Sequence, residues 1–177
     1  MKVPMSWLQA LVNLPDGTTT DDVVQALTNH TATVEKVEVV GGELTGPLVI
    51  GHILSSVPEP QKNGKIINWC RVDVGPRYNA EGHPNNVEEG IEGRGIVCGA
   101  PNAVEGAWVV VSLPGAVLPG GFAISARKTY GHMSDGMLCA SDELGIGVDH
   151  TGIITLPSSV EGHQLVPGEN ALPILGV

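Results

Sequence analysis

Short apolar runs separated by glycine and proline dominate the middle of the chain. Between residues 95 and 147, runs such as Ala107–Ser112 are broken by turn residues at intervals of roughly 8–12 positions. No helical periodicity persists there for more than about two turns. The pattern predicts a small, strongly curved antiparallel barrel. Strands are expected at 48–57, 66–74, 94–98, 107–112 and 122–130, and a further strand at 152–156 after the barrel.

The segments between these strands are expected to be turns and loops. Residues 58–64 are predicted to form a turn, and residues 140–145 a short helical turn. The stretch 75–93 is rich in glycine, asparagine and glutamate, which predicts a solvated loop at a hairpin tip.

The first forty residues follow a different pattern. Ser6 is a candidate N-cap for a helix that ends near Val12, and Thr19 with Asp22 predicts a capped helix near 20–29. Residues 34–40 alternate in a way that predicts an edge strand. Turn residues at 41–47 mark a domain boundary.

Composition supports a turn-rich β protein. The 177 residues include 24 glycines and 13 prolines, and aromatic residues make up only 3%, so the core is expected to be valine, isoleucine and leucine. The net charge of −10 disfavours binding to DNA, autonomous binding to RNA and binding to anionic membranes. Three cysteines without a CxxC pair indicate buried thiols in a cytoplasmic protein.

Catalytic and metal-binding motifs are not found in the sequence. Gly120 and Gly121 are followed by no Gly-Lys-Ser/Thr, the six histidines lack ligand spacing, and no G-x-S-x-G occurs. We therefore predict no catalytic residue and no metal site. A small metabolic enzyme would need a convergent polar pocket that the sequence does not reveal.

The basic residues are the candidate binding groups. Lys62 with Lys65, and Arg127 with Lys128, are predicted to form a basic patch on one barrel face, as in small barrels that bind nucleic acid. The alternative interpretation is charge scattered over the surface for solubility.

Three longer motifs carry a family resemblance. Residues 96–102 (IVCGAPN), 113–121 (LPGAVLPGG) and 136–141 (GMLCAS) resemble the tRNA-binding-type OB barrel of bacterial phenylalanine–tRNA ligase beta subunits. Ser6-Trp7-Leu8 and residues 34–37 resemble the start of that subunit, so the similarity covers essentially the whole chain.

The resemblance implies a mostly β fold with an α+β part. A five-stranded OB-type barrel at 41–150 would be inserted into a small discontinuous α+β domain, formed by 1–40 and 151–177. The apolar end of the chain is consistent with a fragment of a longer subunit.

The resemblance also implies a function. The parent enzyme would be a tetramer of two alpha and two beta subunits that attaches phenylalanine to tRNA(Phe) with ATP and Mg²⁺, with the catalytic residues in the alpha subunit. This chain would then be a non-catalytic part that contributes architecture and auxiliary tRNA contact. The alternative is a free-standing OB module that binds tRNA or single-stranded nucleic acid.

Candidate tRNA-binding residues follow from matching positions in related RNA-binding barrels. The residue types present at those positions are Lys65, Arg71, Lys128, Ser134 and Met137, and the predicted patch adds Lys62 and Arg127. Two motifs depart from the family pattern. Residues 59–66 stand where His-Pro-Asn-Ala-Asp-Lys-Leu is usual, and 128–131 stand where Lys-Leu-Arg-Gly is usual.

Overall fold

The computed structural model describes residues 3–86 and 92–177. The chain divides into two compact units, Met1–Val39 and Val40–Val177. The division falls close to the predicted boundary at 41–47. Within the described residues, no helix combines the length and apolar character that a membrane span requires.

The first unit contains two helices, α1 (Met5–Leu11) and α2 (Thr20–His30). The predicted N-cap Ser6 is wrong, because α1 begins one residue earlier and Pro4 occupies the cap position in an extended conformation. The capping box of α2 is confirmed: the Asp22 amide donates to the Thr19 hydroxyl, and the Thr19 amide donates to the Asp22 carboxylate. Neither helix contains a buried residue.

The predicted strand at 34–40 is also wrong. Residues 33–39 have no regular secondary structure. A strand needs a partner whose backbone groups complete its hydrogen bonds, and none pairs with this segment among the described residues.

The second unit is built mainly of short strands. Its elements are β1 (Leu48–Pro60), β2 (Ile66–Asp73), α3 (Gly75–Ala80), β3 (Arg94–Cys98), β4 (Trp108–Ser112), β5 (Val117–Leu118), β6 (Phe122–Ala123), β7 (Arg127–Thr129), β8 (His132–Ser134), β9 (Met137–Leu138), β10 (Thr155–Leu156), β11 (Ser159–Val160), β12 (His163–Gln164) and α4 (Ala171–Ile174). Two 3₁₀ turns lie at Pro84–Asn86 and Pro119–Gly121.

The main sheet forms a nearly closed antiparallel barrel, so the mostly β fold with an OB-type barrel is confirmed. The strand order is β10–β4–β1–β2–β3, and β9 also pairs with β4. The long β1 pairs with β4 through Leu48–His52 and with β2 through His52–Pro60. The register shifts between Ile53 and Ser55, and such an irregularity bends a strand so that one strand can serve two neighbours.

The core follows the predicted composition. Two clusters of buried valine, isoleucine, leucine and alanine residues fill the barrel and the space beside it. Cys70, Cys98 and Cys139 are buried in these clusters as free thiols. At Gly51 the strands approach closely: an added Cβ would lie 2.6 Å from Val111 and 2.8 Å from Val72.

Two predicted segments differ from the structure. The predicted loop at 75–93 contains α3 and the turn Pro84–Asn86, and Asn86 is buried, while residues 87–91 lie outside the described residues. The predicted strand at 122–130 is divided into β6, which pairs with β5, and β7, which pairs with β8, and Ile124 between them enters the core.

The segment after residue 150 packs within the second unit. Thr155 and Leu156 pair with Val109 and Trp108 of β4, and Asn170 forms a bridge with Val49. The predicted union of 1–40 with 151–177 as one domain around the barrel stays a prediction.

Candidate nucleic-acid-binding surface

The outer face of β2 is covered by two segments distant in sequence. Side chains alternate along a strand, so Cys70 and Val72 enter the core while Trp69 and Arg71 point to the opposite face. The turn Pro84–Asn86 and the β7–β8 hairpin cover that face. This arrangement gives the barrel a second layer.

Arg71, a predicted tRNA contact, lies inside this second layer. It is only 4% exposed, and its Nη1 donates to the Asn86 carbonyl at 2.7 Å. Its guanidinium carbon lies 5.3 Å from the Trp69 ring centroid. Because the side chain is enclosed, it holds the layer together, and we leave it out of the binding surface.

Asn86 joins three parts of the unit. Its side-chain Nδ2 donates to the carbonyls of Gly95 (2.7 Å) and Met133 (2.6 Å), and its Oδ1 accepts from the Gly95 amide at 2.6 Å. No sequence signal points to this residue, since it lies in a polar stretch without periodicity.

A buried ion pair fixes the same region. Asp135 is 1% exposed, lies 3.3 Å from Nη1 of Arg94 and accepts a 2.6 Å hydrogen bond from the His83 amide. Arg94 Nε donates to the Tyr78 carbonyl at 2.7 Å. The carboxylate therefore accepts a hydrogen bond from a backbone amide, and the guanidinium donates one to a backbone carbonyl. Buried charges require such partners in addition to each other.

The β7–β8 hairpin carries two of the predicted basic residues. Thr129 pairs with His132, and the two residues between them, Tyr130 and Gly131, have φ of 50° and 87°. Positive φ at both central positions defines the type I′ hairpin turn. Lys128 lies on the face opposite Thr129 and His132 and is exposed.

His132 anchors this hairpin to the β1–β2 hairpin. Its ring stacks on Trp69 with centroids 4.2 Å apart and an interplanar angle of 14°. Its Nε2 lies 2.9 and 3.0 Å from the two carboxylate oxygens of Glu59. Both partners belong to the β1–β2 hairpin, so the two hairpins are joined side by side.

Lys62 and Lys65 occupy the tip of the β1–β2 hairpin. The turn is closed by the Gln61 amide, which donates to the Lys65 carbonyl at 2.7 Å, and both lysines are exposed. Arg127 is exposed on the neighbouring hairpin, with its guanidinium carbon 5.5 Å from the Phe122 ring centroid. We call the four exposed cations Lys62, Lys65, Arg127 and Lys128 on these joined hairpins the paired-hairpin surface, although the neighbours Arg127 and Lys128 project to opposite sides of β7.

The other two candidate tRNA-binding residues, Ser134 and Met137, are not among the exposed residues. Ser134 is 6% exposed, and its hydroxyl accepts from the Val97 amide at 3.0 Å. Met137 is half-buried against the second core cluster and pairs with Ser112. These two predicted site residues support the barrel rather than face solvent.

Metal-binding clusters are not found in residues 3–86 and 92–177: no three histidine, cysteine, aspartate or glutamate side chains lie together as ligands. Burial raises the pKa of the Cys98 thiol to about 11 and that of Cys139 to about 12. Both thiols are therefore protonated and unreactive near neutral pH.

A family model matches part of the second unit. Residues 83–164, which include β3 to β12, match the model described as a putative tRNA binding domain. This match includes β3, β4, β9 and β10 of the main sheet and the whole β7–β8 hairpin, and it begins after β1 and β2.

The relatives are more specific. The chain is 92% identical over its full length to the phenylalanine–tRNA ligase beta subunit of Cutibacterium acnes, and covers 21% of that protein. It is 49% identical over its full length to the beta subunit of Thermobifida fusca, and 44% identical over 98% of its length to that of Bifidobacterium longum. The resemblance to the amino-terminal region of these subunits is confirmed. The chain spans about a fifth of the length of these relatives.

Proposed function

We propose that this chain acts as the non-catalytic amino-terminal part of a phenylalanine–tRNA ligase beta subunit and supports aminoacylation of tRNA(Phe). The observation that carries the proposal is the 92% identity, over all 177 residues, with the Cutibacterium acnes beta subunit. At that identity the two chains share nearly all of the residues that form the barrel core and the hairpins.

The proposed enzyme needs partners that lie outside this chain. An alpha subunit would complete a tetramer of two alpha and two beta subunits in the cytoplasm, and ATP with Mg²⁺ would drive the ligation. The catalytic residues of the proposed enzyme belong to the alpha subunit, so we assign no part of that chemistry to this chain. The discontinuous domain of residues 1–40 and 151–177 belongs to the same proposal.

The chain's own contribution to tRNA binding is the paired-hairpin surface. Its four cations are exposed, and phosphate contacts from lysine and arginine supply affinity without base specificity. The net charge of −10 opposes binding to any polyanion elsewhere on the molecule. An auxiliary contact confined to this surface is therefore the form of binding that the charges favour.

A titration of the 177-residue chain with tRNA(Phe) tests this contact. We expect the double variant Arg127→Gln/Lys128→Gln to weaken binding and to reduce the slope of log K against log salt by about two. The control variant Lys36→Gln/Arg77→Gln removes one lysine and one arginine that are exposed outside the surface. Equal effects of the two double variants would refute the assignment of tRNA binding to this surface.

The alternative of a free-standing module makes a different prediction in the same titration. An autonomous binder should reach sub-micromolar affinity with a steep salt dependence. Weak binding that grows only when the chain is part of the assembled ligase supports the auxiliary role.

A further inference from the structure

Tyr130 occupies a backbone position that suits other residues better. It is the first central residue of the β7–β8 turn, with φ of 50°, and Gly131 follows it. Type I′ turns favour asparagine, aspartate or glycine there, because a Cβ is crowded in the left-handed region. A bulky residue held in that region points to a use for its side chain.

The Tyr130 side chain takes no part in the barrel's packing. The residue is 43% exposed and lies in neither core cluster. Within the described residues its ring stacks on no other ring, and its hydroxyl makes no hydrogen bond, which leaves the aromatic face available.

Tyr130 lies on an anchored turn and follows two basic residues, Arg127 and Lys128, in β7. His132, two residues away, is held by Trp69 and Glu59, so the turn is attached to the barrel. Lys128 lies two residues before it on the same hairpin. An exposed ring beside cations is the combination with which proteins bind single-stranded nucleic acid.

We propose that Tyr130 is a stacking platform for an unpaired RNA nucleotide. Lys128 and Arg127 contact the neighbouring phosphates, and the phenol ring lies against the base. This inference rests on the proposed tRNA contact and adds the kind of nucleotide that the hairpin takes.

The test compares Tyr130→Asn with Tyr130→Phe in the 177-residue chain. Asparagine suits the left-handed position and removes the ring, whereas phenylalanine keeps the ring and removes the hydroxyl. The probes are tRNA(Phe), an unstructured 12-nucleotide RNA and an RNA duplex of the same length, each labelled for fluorescence anisotropy.

We expect Tyr130→Asn to raise the melting temperature and to weaken binding of tRNA(Phe) and of the single strand by about 5- to 150-fold, the usual range for one stacked base. Binding of the duplex should stay unchanged, and Tyr130→Phe should bind like the wild type. A gain in stability together with a loss of affinity cannot arise from misfolding.

Three results would overturn the stacking role. The first is a loss of affinity in the variant Arg127→Gln/Lys128→Gln with no loss in Tyr130→Asn. That result would leave the proposed function standing. The second is an equal loss in Tyr130→Phe and Tyr130→Asn, which assigns the effect to the hydroxyl. The third is a wild-type chain that binds none of the probes, which overturns the proposed tRNA contact as well.

Discussion

Replacing Asn86 with alanine should strongly destabilise the barrel. The substitution removes three hydrogen bonds of 2.6–2.7 Å, two to carbonyls and one from the Gly95 amide. Each contributes about 1 kcal/mol net. The Gly95 amide is buried and is left without its acceptor. Loss of this third bond therefore costs about 1–3 kcal/mol instead of about 1 kcal/mol. The Gly95 carbonyl keeps a bond from the Asp135 amide at 2.9 Å, which limits the loss. The total is about 3–5 kcal/mol.

Urea unfolding monitored by tryptophan fluorescence measures this loss. The matched control is Asn85→Ala: Asn85 is exposed in the same turn, and its hydrogen bond to the His83 ring uses the backbone amide, which alanine retains. We expect the control to stay within about 0.5 kcal/mol of the wild type. A loss below about 1 kcal/mol for Asn86→Ala would refute the view that this residue ties the second layer to the barrel.

Three further predictions concern other parts of the unit. Gly121 has φ of +78°, and a Cβ added there would meet no atom within 4 Å. Gly121→Val should therefore lower the free energy of unfolding by about 1–3 kcal/mol through backbone strain alone. An unchanged melting temperature would contradict this. His132→Ala removes the stack on Trp69 and the contact with Glu59, so it should cost about 1–2 kcal/mol, whereas retention of full stability would show that the hairpin is held by its other bonds. Cys98 and Cys139 have pKa values raised to about 11 and about 12 by burial, so folding favours their protonated forms. Their contribution to stability is complete below about pH 9 and falls as the pH rises toward those values, and a thiol reagent at about pH 8 should modify them only after denaturation.

The barrel could be predicted because its signals are local. Valine, isoleucine and leucine runs between glycines and prolines predicted β1 to β4 within a few residues, and Thr19 with Asp22 predicted the start of α2. These signals depend on the backbone preferences of neighbouring residues, so they survive in a single sequence.

The second layer could not be predicted because its contacts join segments far apart in the chain. Asn86 and Met133 are 47 residues apart, and Glu59 and His132 are 73 apart. For the same reason the burial of Arg71, a candidate tRNA-binding residue, could not be predicted: Asn86, which accepts its hydrogen bond, lies in a polar stretch that predicts a solvated loop. The dipeptide Tyr130-Gly131 was a missed local signal, since a residue followed by glycine between two short runs is typical of a two-residue hairpin turn.

The pairing of β10 with β4 limits where this polypeptide can be shortened. One edge of β4 is completed by β9 at Val111 and Ser112 and by β10 at Val109 and Trp108. A protein engineer who ends the chain at residue 150 would remove half of that cover and leave amide and carbonyl groups of a valine-rich strand open to other molecules. Open strand edges of this kind recruit identical copies, so the shortened protein should aggregate while the longer one stays dispersed.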